Sequence, residues 1–284
     1  DNGIANAHFI CLDEIWKSND AVLNSMLEIL NEGYITNDGK RIDVPLLTGF
    51  FASNETPSDR DELQALYDRI AFRFLVQPLN NYENEVAVLT GQTRAISDVS
   101  ATVSLADIEA GRSAVEKVTI PEDIMEVAIG LYKKAIHKGF GISFRRLNWI
   151  LNAVRANAWL SGRDTVAKTD LLLPFAATLP ADYDDFEQAK ILVEETIVPL
   201  YAEARDAMKV VRASKSEYDK AKVGSSVDRV VGMATAVSKV TKVISTFDSY
   251  IDECENDDEA SLIRKVKAQA IDTHQVMQSG IASA

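Results

Sequence analysis

Two short apolar runs, each ending in a knot of polar residues, constrain this chain more than any other feature. The first is His8-Phe9-Ile10-Cys11-Leu12-Asp13-Glu14, and the second runs from Leu46 through Ala52 into Ser53-Asn54-Glu55. Consecutive apolar residues without polar alternation predict strands buried on both faces, as in a parallel sheet covered by helices. Open α/β sheets place their ligands beyond the carboxyl ends of such strands. If the two strands are parallel neighbours, Asp13, Glu14 and Asn54 share one edge, and that edge has the chemistry of metal-assisted hydrolysis. Asp13 can hold the water shell of a phosphate-bound Mg2+, Glu14 can take a proton from an attacking water, and the Asn54 amide can orient that water. The competing reading is plainer: Asp and Glu after a strand often begin the next helix.

Between the two runs, Ser18 is placed to cap a helix reaching about Glu32, with Val22, Leu23, Met26, Leu27 and Leu30 as its apolar face. Asn37-Asp38-Gly39 between Tyr34-Ile35-Thr36 and Lys40-Arg41-Ile42-Asp43-Val44 predicts a β-hairpin. Residues 83–180 read as helices, with breaks near 96–101, 118–121 and 138–141; Ser143 is the expected N-cap of one of them. After Leu179-Pro180 longer helices follow, divided by Pro199 and by Gly224-Ser225-Ser226. Within 227–251, Val227, Val230, Ala234, Val237, Thr241, Ile244 and Ile251 recur at steps of three and four. Val231, Val240 and Phe247 make this stripe wider than a coiled-coil seam, which predicts a bundle helix with Val230, Val237 and Ile244 inside. The acidic run from Asp252 to Glu259 is expected to be a solvated loop. The fold class is therefore α/β plus all-α: a partial parallel-sheet core over 1–80, a helical subdomain over 81–180 and a helical bundle over 181–284.

Composition narrows the function. No apolar run approaches the roughly 20 residues that span a bilayer, so no membrane insertion is expected. Cys11 and Cys254 are too few for a disulfide framework, which points to a reducing, cytoplasmic location. A net charge of −13 argues against nucleic-acid binding, which needs clustered Lys and Arg. His8, His137 and His274 share no metal-ligand spacing.

Four segments, taken in order, carry a family resemblance. Leu12-Asp13-Glu14-Ile15-Trp16-Lys17, Ala52-Ser53-Asn54-Glu55, Leu66-Tyr67-Asp68-Arg69 and Ser143-Phe144-Arg145-Arg146 with the later Ser161-Gly162-Arg163 resemble the Walker B, sensor 1, arginine-finger and sensor 2 segments of the MoxR branch of AAA+ ATPases, most closely its RavA group. The hairpin over 34–44 is similar to the family's insertion before sensor 1. The resemblance covers about residues 1–180 and implies that the sheet is part of an AAA+ core, that 81–180 is its lid, and that the helices over 181–284 are an extension of RavA type. It implies ATP and Mg2+ as cofactors, with Asp13 coordinating Mg2+ through water and Glu14 as catalytic base. Asn54 would position water at the γ-phosphate, Arg69 would act in a neighbouring subunit's site, and Arg145 would touch the γ-phosphate of its own. Arg73 and Arg146 remain rivals for the last two roles. Implied partners are further copies of the chain in a ring, expected to be a hexamer, and a protein with a von Willebrand factor A domain. The implied activity is ATP-driven remodelling or chaperoning of other proteins.

A P-loop requires Gly-x-x-x-x-Gly-Lys followed by Ser or Thr. The nearest approach, Gly33 to Gly39-Lys40-Arg41, has five intervening residues, puts Arg where the hydroxyl belongs and falls in the hairpin. Since the chain opens on Asp1, a longer protein is expected, with the P-loop upstream. On that reading these 284 residues hold half a nucleotide site and are expected to show no appreciable ATP turnover alone. A non-catalytic assembly or adaptor module is the alternative from another class; a helicase subunit fits the net charge poorly.

Overall fold

The computed structural model describes residues 3–37, 39–57, 61–79, 82–91, 101–223 and 226–282. The first apolar run forms strand β1 (Phe9–Asp13), and a single 3-10 turn, Ile15–Lys17, leads from it to helix α1 (Asp20–Glu32). The cap of α1 is Asn19, whose side chain accepts a hydrogen bond from the Val22 amide at 3.0 Å, so Ser18 is one residue too early. The helix buries Leu23, Met26 and Ile29 while Val22 is exposed, a stripe turned slightly from the expected one. Gly33 closes α1 with φ 71°, a left-handed C-terminal position where a side chain would be strained. Strands β2 (Tyr34–Asn37) and β3 (Lys40–Asp43) make the expected antiparallel hairpin. It is tied to α1 by Glu28, which accepts from the Thr36 amide at 2.9 Å and its hydroxyl at 2.7 Å.

Strand β4 (Thr48–Ala52) returns beside β1, parallel to it, with Asp13 opposite Ala52. The parallel pairing is as expected; burial on both faces is not. Ile10 is buried and Leu12 half-buried in a cluster with Ile15, Trp16, Leu23, Met26, Leu63 and Leu66, whereas Phe9 and Phe50 on the opposite face are 50% and 59% exposed. Among the described residues the sheet has two strands, and only one of its faces is packed. Helices α2 (Asp61–Arg69) and α3 (Tyr82–Leu89) follow. Over residues 70–79 the chain is irregular, with Phe74, Val76 and Leu79 exposed.

The remaining helices are α4 (Leu105–Val115), α5 (Glu122–His137), α6 (Phe144–Leu160), α7 (Leu172–Thr178), α8 (Asp185–Ile197), α9 (Pro199–Ala221), α10 (Ser226–Glu253) and α11 (Asp257–Ala282). Breaks fall at 118–121 and 138–141 as expected; 96–100, and the division at Gly224-Ser225, lie outside the described residues. Contacts divide the chain into two units: residues 1–95 with 180–186, and residues 96–179 with 187–284. Within the second unit, one cluster joins α5, α6, α7 and α8 through residues such as Leu131, Ile150, Phe175 and Val193. Another joins α9, α10 and α11 through Val211, Tyr218, Val240, Phe247 and Ile263, and Tyr201 packs against both clusters. The architecture is thus a small parallel sheet with helices followed by a large helical bundle.

Helix α10 corrects the expected register. Met233, Ala236, Val240 and Phe247 are its buried positions, Val237 and Ile244 are half-buried and Val230 is 45% exposed. The true stripe lies three residues along from the expected one, a turn of about 60°. With valines around much of the helix, periodicity alone leaves its rotation open, and the steps from α9 and α11 fix it. By length and composition Val227–Glu253 would suffice for a membrane span, a test that buried bundle helices also pass. Nor is the acidic run a long loop: Asp257, Asp258 and Glu259 form the first turn of α11, where carboxylates meet the positive end of the helix dipole. Asn256 caps that turn, accepting from the Glu259 amide at 2.8 Å.

Candidate functional site

The site is built where β1 and β4 end side by side. Glu14 leaves β1 in a left-handed conformation, φ 51° and ψ 38°, the one non-glycine residue with positive φ among those described. Such a backbone costs roughly 1–2 kcal/mol and persists only where surroundings impose it. Here the Glu14 amide donates to the Ala52 carbonyl and to Asp13 Oδ1, each at 2.9 Å. Immediately after it, Ile15 and Trp16 are driven into the core, and Trp16 meets Tyr67 edge-on with ring centroids 5.6 Å apart. Burial on one side and strand pairing on the other hold Glu14 at the turn.

Its carboxylate faces the end of β4. Asn54 Nδ2 donates to Glu14 Oε1 at 3.2 Å, and Lys17 Nζ lies 3.0 Å from Glu14 Oε2 and 3.9 Å from Glu55 Oε1. The hydrogen bond and charge of Glu14 hold the Lys17 ammonium above its ordinary value, and Glu55 and Asp13 add to the effect. Asp13 is exposed at the strand end, its Oδ1 accepting the Glu14 amide. Among the described residues no group of three His, Cys, Asp or Glu side chains could hold a metal. A single accessible carboxylate is a contact that Mg2+, which keeps most of its waters, can use, so Asp13 is compatible with that ion.

The structure separates the arginine pairs. Arg73 is 7% exposed, stacks on the Tyr67 ring at 3.8 Å and donates to the Tyr67 and Pro180 carbonyls. Arg69 ends α2 half-buried, donating to Asn31 Oδ1 at 2.5 Å and the Ala65 carbonyl at 2.6 Å. In the second unit Ser143 caps α6 as expected, accepting from the Arg146 amide at 3.3 Å. Arg146 is 2% exposed and donates to the Gly141 and Thr178 carbonyls, whereas Arg145 is exposed in the first turn. Arg163 is engaged by Asp170 through two hydrogen bonds of 2.7 Å. Glu14, Asn54 and Asp13 are therefore brought to one edge, Arg69 ends a nearby helix of the same unit, and Arg145 belongs to the other unit.

Residues 1–111 match the family model described as the MoxR domain in MoxR-vWA-beta-propeller ternary systems. This chain carries a MoxR-family, AAA+-like domain. Two uncharacterized proteins of Methanocaldococcus jannaschii are similar to it. MJ0812 is 33% identical over 176 residues, 59% of this chain and 44% of that protein. MJ0079 is 32% identical over 168 residues, 59% of this chain and 43% of that protein. The chain thus spans less than half the length of these curated relatives. In fold it is similar to the crystal structure of a candidate ATPase from Cytophaga hutchinsonii, with a TM-score of 0.51 and 20% identity over 69% of this chain and 66% of that one.

Within the MoxR-like domain, sequence reasoning missed Lys17 and Glu55, which complete the charge pattern around Glu14. The signal was present but weak. Lys17 is three residues from Glu14, a separation that brings side chains together in a helical turn, and Glu55 directly follows Asn54.

Proposed function

We propose that this chain forms the catalytic back half of a MoxR-type ATPase site, of RavA kind, in a ring of identical subunits that remodels partner proteins. The observation that carries the reading is the Glu14 carboxylate, presented from a left-handed turn at the end of β1 with Asn54 Nδ2 3.2 Å away at the end of the parallel neighbour. A base and an amide so placed lie at one edge, within reach of the same water. Glu14 takes the proton of the attacking water and Asn54 orients that water toward the γ-phosphate. Asp13 would hold the water shell of Mg2+ bound with ATP, and that ion would supply neutralisation of phosphate charge. Arg145, exposed at the start of α6, reads the γ-phosphate from its own subunit. Arg69 is the side chain proposed for a neighbour's site, which it would reach by leaving Asn31 and the Ala65 carbonyl; Arg73 and Arg146 are buried on carbonyls of their own units. The ring is proposed to be hexameric and cytoplasmic, with a von Willebrand factor A domain protein as partner, because the matching family model is defined on systems containing one.

The test uses the full protein as the cell makes it, with MgATP. Glu14→Gln is expected to lower kcat by roughly 10²–10⁴-fold, the range a general base supplies, while nucleotide still binds. Arg69→Ala is expected to lose hydrolysis far more than binding, and mixing it with Glu14→Gln subunits to restore part of the turnover. Turnover that survives Glu14→Gln sinks the catalytic reading. A wild-type protein that binds partners without hydrolysing ATP favours the adaptor reading. Mixed oligomers that form normally but stay inactive remove Arg69 from the finger role.

A further inference from the structure

Lys17 closes the 3-10 turn whose other residues, Ile15 and Trp16, are 2% and 9% exposed. The Lys17 amide donates to the Glu14 carbonyl at 2.9 Å. Its main chain is therefore fixed by the core, while its side chain, 62% exposed, is free to move. In the resting arrangement both oxygens of Glu14 are engaged: Oε1 accepts from Asn54, and Oε2, sealed from solvent, lies 3.0 Å from the Lys17 ammonium. A sealed carboxylate oxygen needs a compensating charge, and Lys17 supplies it. With Oε2 sealed against Lys17, the acceptor sites left for a water molecule are those of Oε1, which Asn54 shares. The second carboxylate within reach of Lys17 is Glu55, whose Oε1 is 3.9 Å away on a 54% exposed side chain, directly after Asn54 in the chain.

We propose that Lys17 is a positioning residue for Glu14: it holds the carboxylate against Asn54 in the resting site and frees it by passing its ammonium to Glu55. The proposal rests on the reading of Glu14 as base. Handover exchanges one ion pair for another on the Lys17 side, and on the Glu14 side it requires that Oε2 meet water or a donor as the ammonium leaves, since a sealed carboxylate oxygen left alone is costly. It moves a flexible side chain without disturbing the strained backbone of Glu14. Asn54 and Glu55 are adjacent, so one displacement at the end of β4 reaches both the residue that orients water and the acceptor of the ammonium. Lys17 touches no reacting atom; it acts through Glu14.

The full protein with MgATP is the system for the test, together with the nucleotide-free protein for a readout independent of turnover. Lys17→Met is expected to lower kcat about ten-fold with KM little changed, as misplacement of a base does, and Lys17→Arg to restore most of it. Glu55→Gln is expected to lower kcat about three-fold, the scale of one exposed ion pair, and to add nothing to Lys17→Met. In the nucleotide-free protein, the NMR signal of the Lys17 ammonium should shift in both Glu14→Gln and Glu55→Gln. A Lys17→Met enzyme with unchanged or higher kcat overturns the proposal, as does an ammonium signal indifferent to Glu55→Gln. If Glu14→Gln is inactive and Lys17→Met normal, only the Lys17 proposal falls. If Glu14→Gln keeps its turnover, the base reading falls and takes this one with it.

Discussion

The two units of the chain differ in how many large apolar side chains they enclose. In the first, the sheet packs Ile10 and Leu12 on one side and leaves Phe9 and Phe50 half-exposed or more on the other, with Phe74 and Val76 also in the open. In the second, Phe175, Tyr218, Phe247 and Ile263 are fully enclosed. The proposed chemistry belongs to the unit with the shallower core, and the larger share of enclosed apolar side chains to the other. Functional groups need access and accept strain, as Glu14 does. Long helices can enclose their faces without such concessions.

Matched truncations give the largest test of that contrast. Phe247→Ala removes a fully buried ring and is expected to cost about 3–5 kcal/mol in urea unfolding, whereas Phe50→Ala, at 59% exposure, should fall within about 1 kcal/mol. A Phe50→Ala protein destabilised as much as Phe247→Ala breaks the comparison, because the open face would then be covered in solution. The same series tests the register of α10: Val230→Asp at its exposed position should be tolerated, while Val240→Asp should not.

Next in size is the pair at the start of α6. Arg146→Ala strips the buried Thr178 carbonyl, and the more exposed one of Gly141, of a donor and should cost about 1–3 kcal/mol. Arg145→Ala should leave stability within about 0.5 kcal/mol and act on nucleotide hydrolysis instead. The midpoint of thermal unfolding, read beside turnover, separates the two. Equal loss of stability in both variants would remove the distinction between a structural and a functional arginine here.

The smallest effect concerns the close approach of α9 and α11. A Cβ added at Gly280 would come 2.2 Å from Tyr218 Oη, and Lys215 and Lys222 stack on the same ring at 5.4 and 4.9 Å. Gly280→Ala should cost about 1 kcal/mol, the low end for overpacking, since α11 is close to its end and can yield. In a Tyr218→Phe background that cost should shrink, because the nearest remaining ring atom is 3.4 Å away. If the double-mutant cycle shows no such coupling, the two helices are not in van der Waals contact at this point.

The sequence by itself determined the elements that follow from local pattern. Non-alternating apolar runs fixed β1 and β4, Asp-Gly marked the hairpin, and Pro199 marked where α8 gives way to α9. The meeting of Asp13, Glu14 and Asn54 was legible because a parallel pair places both carboxyl ends on one edge. Tertiary structure alone decided matters that turn on which neighbour a side chain meets. Adjacent arginines such as Arg145 and Arg146 are alike in composition and differ by one helical step, yet only one reaches the carbonyls of its surroundings. The rotation of α10 was undetermined because its valines cover too wide an arc, until Met233, Val240 and Phe247 found α9 and α11. The left-handed turn at Glu14, and with it the hold of Lys17, arises where strand pairing and the burial of Trp16 pull one short segment in two directions, and no local pattern encodes that.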